Sequence, residues 1–156
     1  MAESLCGTQV KQFRKMFGVI KGVSDREYFT NSNHLWVGEN ITPFTKQNKE
    51  IELFNMSKGG HIGYVRISNP NNIDGLKATI ERGLKLGFYQ GVNFNACICE
   101  DCGASGNEWG DTCPNCNSSN VQEMNRVCGY LGFSRKGGDR TLNDAKLSEK
   151  NDRISM

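Results

Sequence analysis

The stretch CEDCGASGNEWGDTCPNC, residues 99–116, contains two Cys-x-x-Cys pairs separated by ten residues. Each pair can place two thiolates on one metal ion through a tight turn, and two such knuckles complete a tetrahedron. Gly103 after the first pair and Pro114 inside the second suit these turns. The spacing therefore predicts a zinc ribbon with four cysteine ligands: Cys99, Cys102, Cys113 and Cys116.

Spacing alone leaves two other uses of these cysteines open, a redox or iron–sulfur site and free thiols. Four cysteine ligands would fill every coordination position, so a zinc ion here is expected to be structural and not catalytic. Cys97 lies two residues before the first ligand, a spacing poor for a knuckle, and is interpreted as a bystander. Cys6 is interpreted as a core residue of a helix.

The cysteine-rich segment is also the acidic one. Residues 97–125 carry five acidic and no basic side chains, whereas residues 1–96 have a net charge of +4 and residues 126–156 of +3. A Zn(Cys)4 unit would add about −2 to the segment. Since phosphates are bound by Lys and Arg, we expect no nucleic acid as a partner.

Composition limits the kind of protein. With 156 residues, of which 37% are hydrophobic, the chain suffices for one domain, or one domain plus a small module. No run approaches the roughly 18 apolar residues of a membrane span, and the N-terminus lacks the apolar region of a secretory signal. Five of seven cysteines fall within residues 97–116, which favours metal over disulfides. The sequence predicts a cytoplasmic protein without membrane contact.

Hydrophobic periodicity outside the ribbon predicts an α/β arrangement. Helices are expected over 3–17 and over 73–86, the latter with Asn72 as N-cap and with Ile73, Leu76, Ile80 and Leu84 on one face. Strands are expected over 34–38, 62–67 and 91–98, while 51–57 fits a strand or a helix. The polar tail after residue 133 is expected to be extended or loosely packed.

The stretch RVCGYLG, residues 126–132, sets Gly129 between a cysteine and a tyrosine. One explanation is a tight turn. The other is chemical, because a glycine Cα that has lost a hydrogen atom carries a radical conjugated to the amide nitrogen and the carbonyl. Without a Cβ the radical centre can become planar at no steric cost. The motif by itself leaves both explanations open.

RVCGYLG after a double Cys-x-x-Cys motif resembles the C-terminal signature of the anaerobic (class III) ribonucleotide reductases, a branch of the glycyl radical enzymes. AESLCG, GVSDREYFTNSNH, ITPF, GGHIGYV and GDR resemble the final quarter of that family, in the same order. The resemblance implies that Gly129 stores a radical installed by an activating enzyme that uses an iron–sulfur cluster and S-adenosylmethionine. The radical would generate a thiyl that reduces ribonucleoside triphosphates to deoxyribonucleoside triphosphates.

The same resemblance divides the chain into the last elements of an α/β barrel (1–95), the zinc ribbon (96–124) and the glycyl radical loop with the tail (125–156). The thiyl cysteine and nucleotide sites would lie upstream, since Cys6 does not match the family's catalytic motif. The chain is therefore expected to be inactive without an N-terminal barrel portion, in a dimeric assembly.

Three points remain open at this stage. Thr30–His34 is either a capped turn or a polar stretch near the active site, while His61 is interpreted as structural. The reductant could be formate or a dithiol. The alternative function is a zinc-ribbon protein-interaction module without radical chemistry, for which Gly129 would be replaceable.

Overall fold

The computed structural model describes residues 2–30, 34–58, 61–126, 131–135 and 142–156. In these ranges the elements are, in chain order, α1 Ala2–Phe17, α2 Pro43–Met56, β1 Ile62–Arg66, α3 Ile73–Lys85, β2 Tyr89–Asn93, β3 Ala96–Cys99, β4 Ser105–Asn107, β5 Val121–Arg126, β6 Leu131–Arg135 and α4 Asp144–Asp152. The mixed α/β class predicted from the sequence is confirmed. No helix within the described ranges is both long and apolar enough to cross a bilayer.

The elements form two compact units. The α/β unit comprises Thr30–Asn93 with Asp152–Met156, and the ribbon unit comprises Met1–Phe29 with Phe94–Asn151.

Within the α/β unit, β1 and β2 pair in parallel, and α3 is the crossover that parallel pairing requires. Asn72 accepts a hydrogen bond from the backbone N–H of Gly75 at 3.0 Å, so the predicted cap of this helix is confirmed. The ambiguous stretch 51–57 lies mostly in α2. That helix begins at Pro43 after the capping residue Thr42, because the first helical position needs no backbone N–H donor.

Helix α3 packs through a small, polar side. Gln47 donates to the carbonyl of Thr79 at 2.9 Å, and a Cβ on Gly83 would lie 2.7 Å from the Gln90 side chain. The predicted apolar stripe is instead largely exposed, with Ile73 at 61% and Leu84 at 62%. The periodicity located the helix correctly, but it is the other side of the helix that is buried.

In the ribbon unit, an antiparallel sheet has the order β4-β3-β5-β6. Cys97 in the central strand β3 lies opposite Gly106 on one side and Glu123 on the other. Cys97, Cys99 and Val121 of the sheet form a buried cluster with Cys113, against which Ala104 and Trp109 pack. The cysteines therefore form much of the core of this unit.

The polar tail is not loosely packed as expected, because part of it forms α4. Asn143 caps this helix by accepting the backbone N–H of Lys146 at 2.9 Å. In the same unit α1 approaches α4 closely, since a Cβ on Gly7 would lie 2.6 Å from the Cβ of Ala145.

Two strand predictions were wrong. Residues 34–38 form no strand, because the Leu35 N–H donates to the Glu50 carboxylate and the Glu39 N–H closes a turn onto Trp36. The predicted strand 91–98 is interrupted after Asn93. Its first part belongs to β2, which pairs with β1, and its second part belongs to β3 in the other sheet.

Candidate functional site

The four cysteines predicted from their spacing come together, with their sulfur atoms within 4.8 Å of one another. Cys99 Sγ lies 3.6 Å from Cys116 Sγ, and Cys102 Sγ lies 3.7 Å from Cys113 Sγ. In a tetrahedron with Zn–S bonds near 2.3 Å, the sulfur atoms are about 3.8 Å apart. The donor set therefore fits a tetrahedral thiolate site.

Both knuckles are built by the same two hydrogen bonds. The backbone N–H of Gly103 donates to Cys99 O at 2.9 Å, and that of Asn117 donates to Cys113 O at 2.8 Å. The N–H groups of Cys99 and Cys113 in turn donate to Ala104 O and Ser118 O. Gly103 and Asn117 have φ of 70° and 58°, a left-handed conformation that glycine and asparagine tolerate best.

Hydrogen bonds and neighbouring thiols shift the pKa values of two of the four cysteines in opposite directions. The Asn115 side-chain amide and the Ala104 backbone N–H lower the pKa of Cys102 to about 6. The Ser118 N–H lowers the pKa of Cys116, but the adjacent Cys102 thiol and desolvation outweigh this effect and raise that pKa to about 12. Sulfur atoms this close cannot all ionise unless a cation compensates their charge.

Asp101 links the two knuckles through side-chain hydrogen bonds. Its carboxylate accepts from the Ser118 hydroxyl and, at 2.8 Å, from the Asn120 amide. These two bonds hold the pKa of Asp101 below its usual range. The sequence identifies Asp101 only as one of the acidic residues of the ribbon, because the motif does not show that its carboxylate will contact Ser118 and Asn120.

The other cysteines lie apart from this cluster. Cys97 is buried in β3 and outside the group of four sulfur atoms, as the spacing predicted. Cys6 is half-buried in α1 and so is less enclosed than the core position expected for it. Cys128 lies outside the described residues.

Strands β5 and β6 form a hairpin in the sheet that also holds Cys99. They pair from Gln122–Arg135 to Arg126–Leu131, and residues 127–130, which include Gly129, connect them. Those four residues lie outside the described ranges. Cys99 is opposite Val121, at the far end of β5 from the connection. Five residues of strand put about 17 Å between these two ends of β5.

The polar stretch Thr30–His34 leads to a buried charged group in the α/β unit. His34 Nδ1 lies 3.4 Å from Glu50 Oε1, and Lys46 Nζ lies 2.7 Å from the same oxygen. The ring of His61 packs against His34 and Phe54, and burial lowers its pKa below 6.5. Thr30 bonds to the backbone of His34 at 2.8 Å, while residues 31–33 lie outside the described ranges.

A parallel strand–helix–strand unit and an antiparallel ribbon define the class, a mixed α/β protein with a ribbon whose four clustered thiols could hold a metal ion. The model of the anaerobic ribonucleoside-triphosphate reductase family matches residues 2–155. The chain belongs to that family, and the resemblance read from its motifs is confirmed.

Curated relatives agree with this assignment. The anaerobic ribonucleoside-triphosphate reductase of Enterobacteria phage T4 is 37% identical over 145 residues, which cover 88% of this chain and 24% of that protein. Its counterpart in Escherichia coli K12 is 34% identical over 139 residues, covering 84% of this chain and 20% of that protein. The chain thus spans about a quarter or less of the length of these relatives.

Solved structures share the fold. An anaerobic ribonucleotide reductase superposes with a TM-score of 0.71 at 19% identity, over 99% of this chain and 24% of that one. The Thermotoga maritima anaerobic ribonucleotide reductase, solved in complex with dATP and CTP, superposes with a TM-score of 0.61 at 22% identity. The superposition covers 85% of this chain and 21% of the Thermotoga maritima chain.

Proposed function

We propose that this chain is the radical-bearing C-terminal part of an anaerobic ribonucleoside-triphosphate reductase and that Gly129 stores the radical. One observation carries the proposal. In a chain that matches the family over residues 2–155, Gly129 falls in the four-residue connection of a hairpin whose sheet also holds the cysteine cluster.

Glycine suits this role for a chemical reason. Removing one hydrogen atom from its Cα leaves an unpaired electron shared with the adjacent amide nitrogen and carbonyl. With any other residue a Cβ would crowd the planar centre, whereas glycine has none. The backbone itself then stores the electron.

The reaction needs groups that the described residues do not supply. An activating enzyme with an iron–sulfur cluster and S-adenosylmethionine would remove the hydrogen atom from Gly129. The radical would then oxidise a cysteine of the upstream barrel to a thiyl, which takes the 3′ hydrogen of a ribonucleoside triphosphate and starts loss of the 2′ hydroxyl. Deoxyribonucleoside triphosphate is the product, and formate or a dithiol is the reductant.

Zinc would be held by Cys99, Cys102, Cys113 and Cys116. The separations of their sulfur atoms support this assignment. With four cysteine ligands the ion would lack an open position, so its role would be to hold the knuckles and the start of β5 together. The two knuckles and β3 would then serve as the fixed base of the hairpin.

An upstream barrel portion is the partner that the α/β unit requires. A two-stranded parallel sheet is rare by itself, because parallel strands are normally covered on both faces. The exposed stripe containing Ile73 and Leu84 offers an apolar surface for such a neighbour. The family resemblance extends the proposal to residues 1–95 as the last barrel elements, 96–124 as the ribbon and 125–156 as the radical loop and tail, in a dimeric cytoplasmic enzyme.

Activation of the assembled protein tests the proposal. The chain, combined with the upstream reductase polypeptide, would be treated without oxygen with an activating enzyme, reductant and S-adenosylmethionine. We expect a doublet in the electron paramagnetic resonance spectrum and reduction of ribonucleoside triphosphate. Absence of the doublet, with zinc bound and both polypeptides associated, would favour a zinc-ribbon interaction module.

A further inference from the structure

One side chain of α4 joins both strands of the β5–β6 hairpin. Lys150 Nζ lies 2.7 Å from Glu123 Oε2 in β5 and donates to Ser134 Oγ in β6 at 3.1 Å. Glu123 and Ser134 are register partners, so a single ammonium group spans one rung of the hairpin. The Asn125 amide adds a diagonal hydrogen bond to the same Ser134 hydroxyl at 3.2 Å.

This ion pair is buried, so the free energy of desolvating its two charges offsets much of the stability that it provides. The Glu123 side chain is 7% exposed and that of Lys150 is 18% exposed. Removing two charges from water has a desolvation penalty, and aliphatic residues of similar size often stabilise as well or better. A buried pair does, however, restrict which arrangement of helix and strands is allowed.

The rung lies close enough to the connection to control its position. Arg126, the last residue of β5, lies three positions after Glu123, a distance of about 10 Å along the strand. A tilt of about 6° at the rung would move the end of the hairpin by about 1 Å, and an error of that size can slow a reaction on the order of a hundredfold.

We propose that the Glu123–Lys150 ion pair is a positioning device that fixes the hairpin and thereby places Gly129 for hydrogen-atom transfer. The inference rests on the proposed function of Gly129 and adds the residues that hold its hairpin. Glu123 and Lys150 are positioning residues, since they act through the strands and not on the reacting atoms.

The first test needs no radical. It measures the rates of amide hydrogen exchange in the hairpin of the full chain. In Lys150→Met an unpaired carboxylate stays buried, and exchange in 122–135 should rise on the order of tenfold while residues 97–118 stay protected. Glu123→Gln should have a smaller effect, because the more exposed Lys150 can turn toward water. The double variant should recover protection only in part, since no unpaired charge remains but the link from α4 to both strands is lost.

A matched control lies in the same helix. Lys146 is more deeply buried than Lys150, with its side chain 4% exposed, but it pairs with Glu149 at 2.5 Å within α4. Lys146→Met should cost stability without loosening the hairpin preferentially. In the activated assembly, Lys150→Met should lower the doublet yield by on the order of tenfold. Lys146→Met and the conservative Lys150→Arg should stay close to wild type.

Two results would overturn the inference. The first is unchanged exchange of the hairpin in Lys150→Met. The second is a loosened hairpin with a normal doublet yield, which would make the pair merely structural. Failure of the proposed function is distinguishable, because the wild-type assembly itself would then give no doublet, and the inferred placement of Gly129 would fall with it.

Discussion

The sulfur atoms of Cys99 and Cys116 lie 3.6 Å apart although the two residues are seventeen positions apart in the chain. Cys102 and Cys113 approach in the same way, so each close contact takes one thiol from each knuckle. An ion bound among them would close both knuckles at once. Because the unfolded chain has no such site, metal binding and folding of the ribbon are coupled.

We therefore predict one tightly held zinc ion per chain. Cys113→Ser removes a fully buried ligand and should release the metal and unfold the ribbon unit. Elemental analysis and Trp109 fluorescence in a Trp36→Phe background measure the two effects, since Trp109 packs against the cysteine cluster. Cys97→Ala, a buried cysteine outside the cluster, should keep the zinc. Full zinc content in Cys113→Ser, or an iron–sulfur chromophore in the wild type, would contradict the assignment.

The second prediction concerns the link between the knuckles. Asp101→Ala removes the acceptor for both Ser118 and Asn120, so the knuckles should separate more easily. The expected result is faster transfer of zinc to a chelator, with little change in zinc content before the chelator is added. Asp111→Ala, an exposed acid in the same segment, is the control, and equal rates for both variants would argue against the link.

Some of this molecule could be predicted from its sequence because the determining contacts are local. The spacing of two Cys-x-x-Cys pairs is enough to predict that their four thiols cluster, and Asn72 marks a helix start by its cap. Helix α4 was not predicted, because its buried residues include the charged pair Lys146 and Glu149 and so give no apolar periodicity in the sequence. The sequence signal that could have located the start of α4 is the capping residue Asn143. The predicted strand at 34–38 does not form because the backbone N–H of Leu35 donates to the carboxylate of Glu50, fifteen positions later in the chain.

The third prediction tests that buried glutamate. Burial raises the pKa of Glu50, but His34 and Lys46 outweigh it and hold the pKa below 4.5. Its contribution to stability is therefore present above pH 4.5 and lost as the pH falls through the lower folded value. Glu50→Gln should lower the free energy of unfolding by about 3 kcal/mol at pH 7, because Lys46 loses its partner.

Denaturant unfolding at several pH values separates Glu50 from its neighbours. The difference between wild type and Glu50→Gln should shrink as the pH falls below 4.5. Glu52→Gln, on an exposed position of the same helix, should change stability by no more than about 0.5 kcal/mol. A constant difference from pH 7 to pH 3 would mean that the charge of Glu50 is not what stabilises the unit.

The fourth prediction is that the ribbon does not bind nucleic acid. Of its five acidic residues, Glu100, Asp101, Glu108 and Asp111 are exposed, while Glu123 is buried and paired with Lys150. Such a surface repels phosphate groups. Fluorescence anisotropy with labelled single- and double-stranded DNA measures salt-dependent binding, and cross-linking locates any bound DNA on the chain. We expect no cross-links to residues 97–125. Cross-links within that range at physiological salt would refute the prediction.

The last prediction returns to Gly129. Gly129→Ala should abolish the doublet in the activated assembly, because the Cβ hinders abstraction at Cα and crowds a planar radical. Zinc content should be unchanged, since the four cysteines are untouched. Gly132→Ala, three residues away in β6, is the matched control and should keep the doublet.

Isotopes and oxygen then identify the atom. The doublet arises from the one hydrogen left on the radical carbon, so deuterium at the glycine Cα should collapse it to a narrow single line. Oxygen adds to a carbon radical and cuts the backbone there, which should leave a fragment ending near residue 128 that mass spectrometry can assign. Gly129→Ala should resist this cleavage, whereas Gly132→Ala should be cut as the wild type is. A doublet in Gly129→Ala, or a wild-type break elsewhere, would remove the radical from this residue and leave Gly129 as a turn glycine.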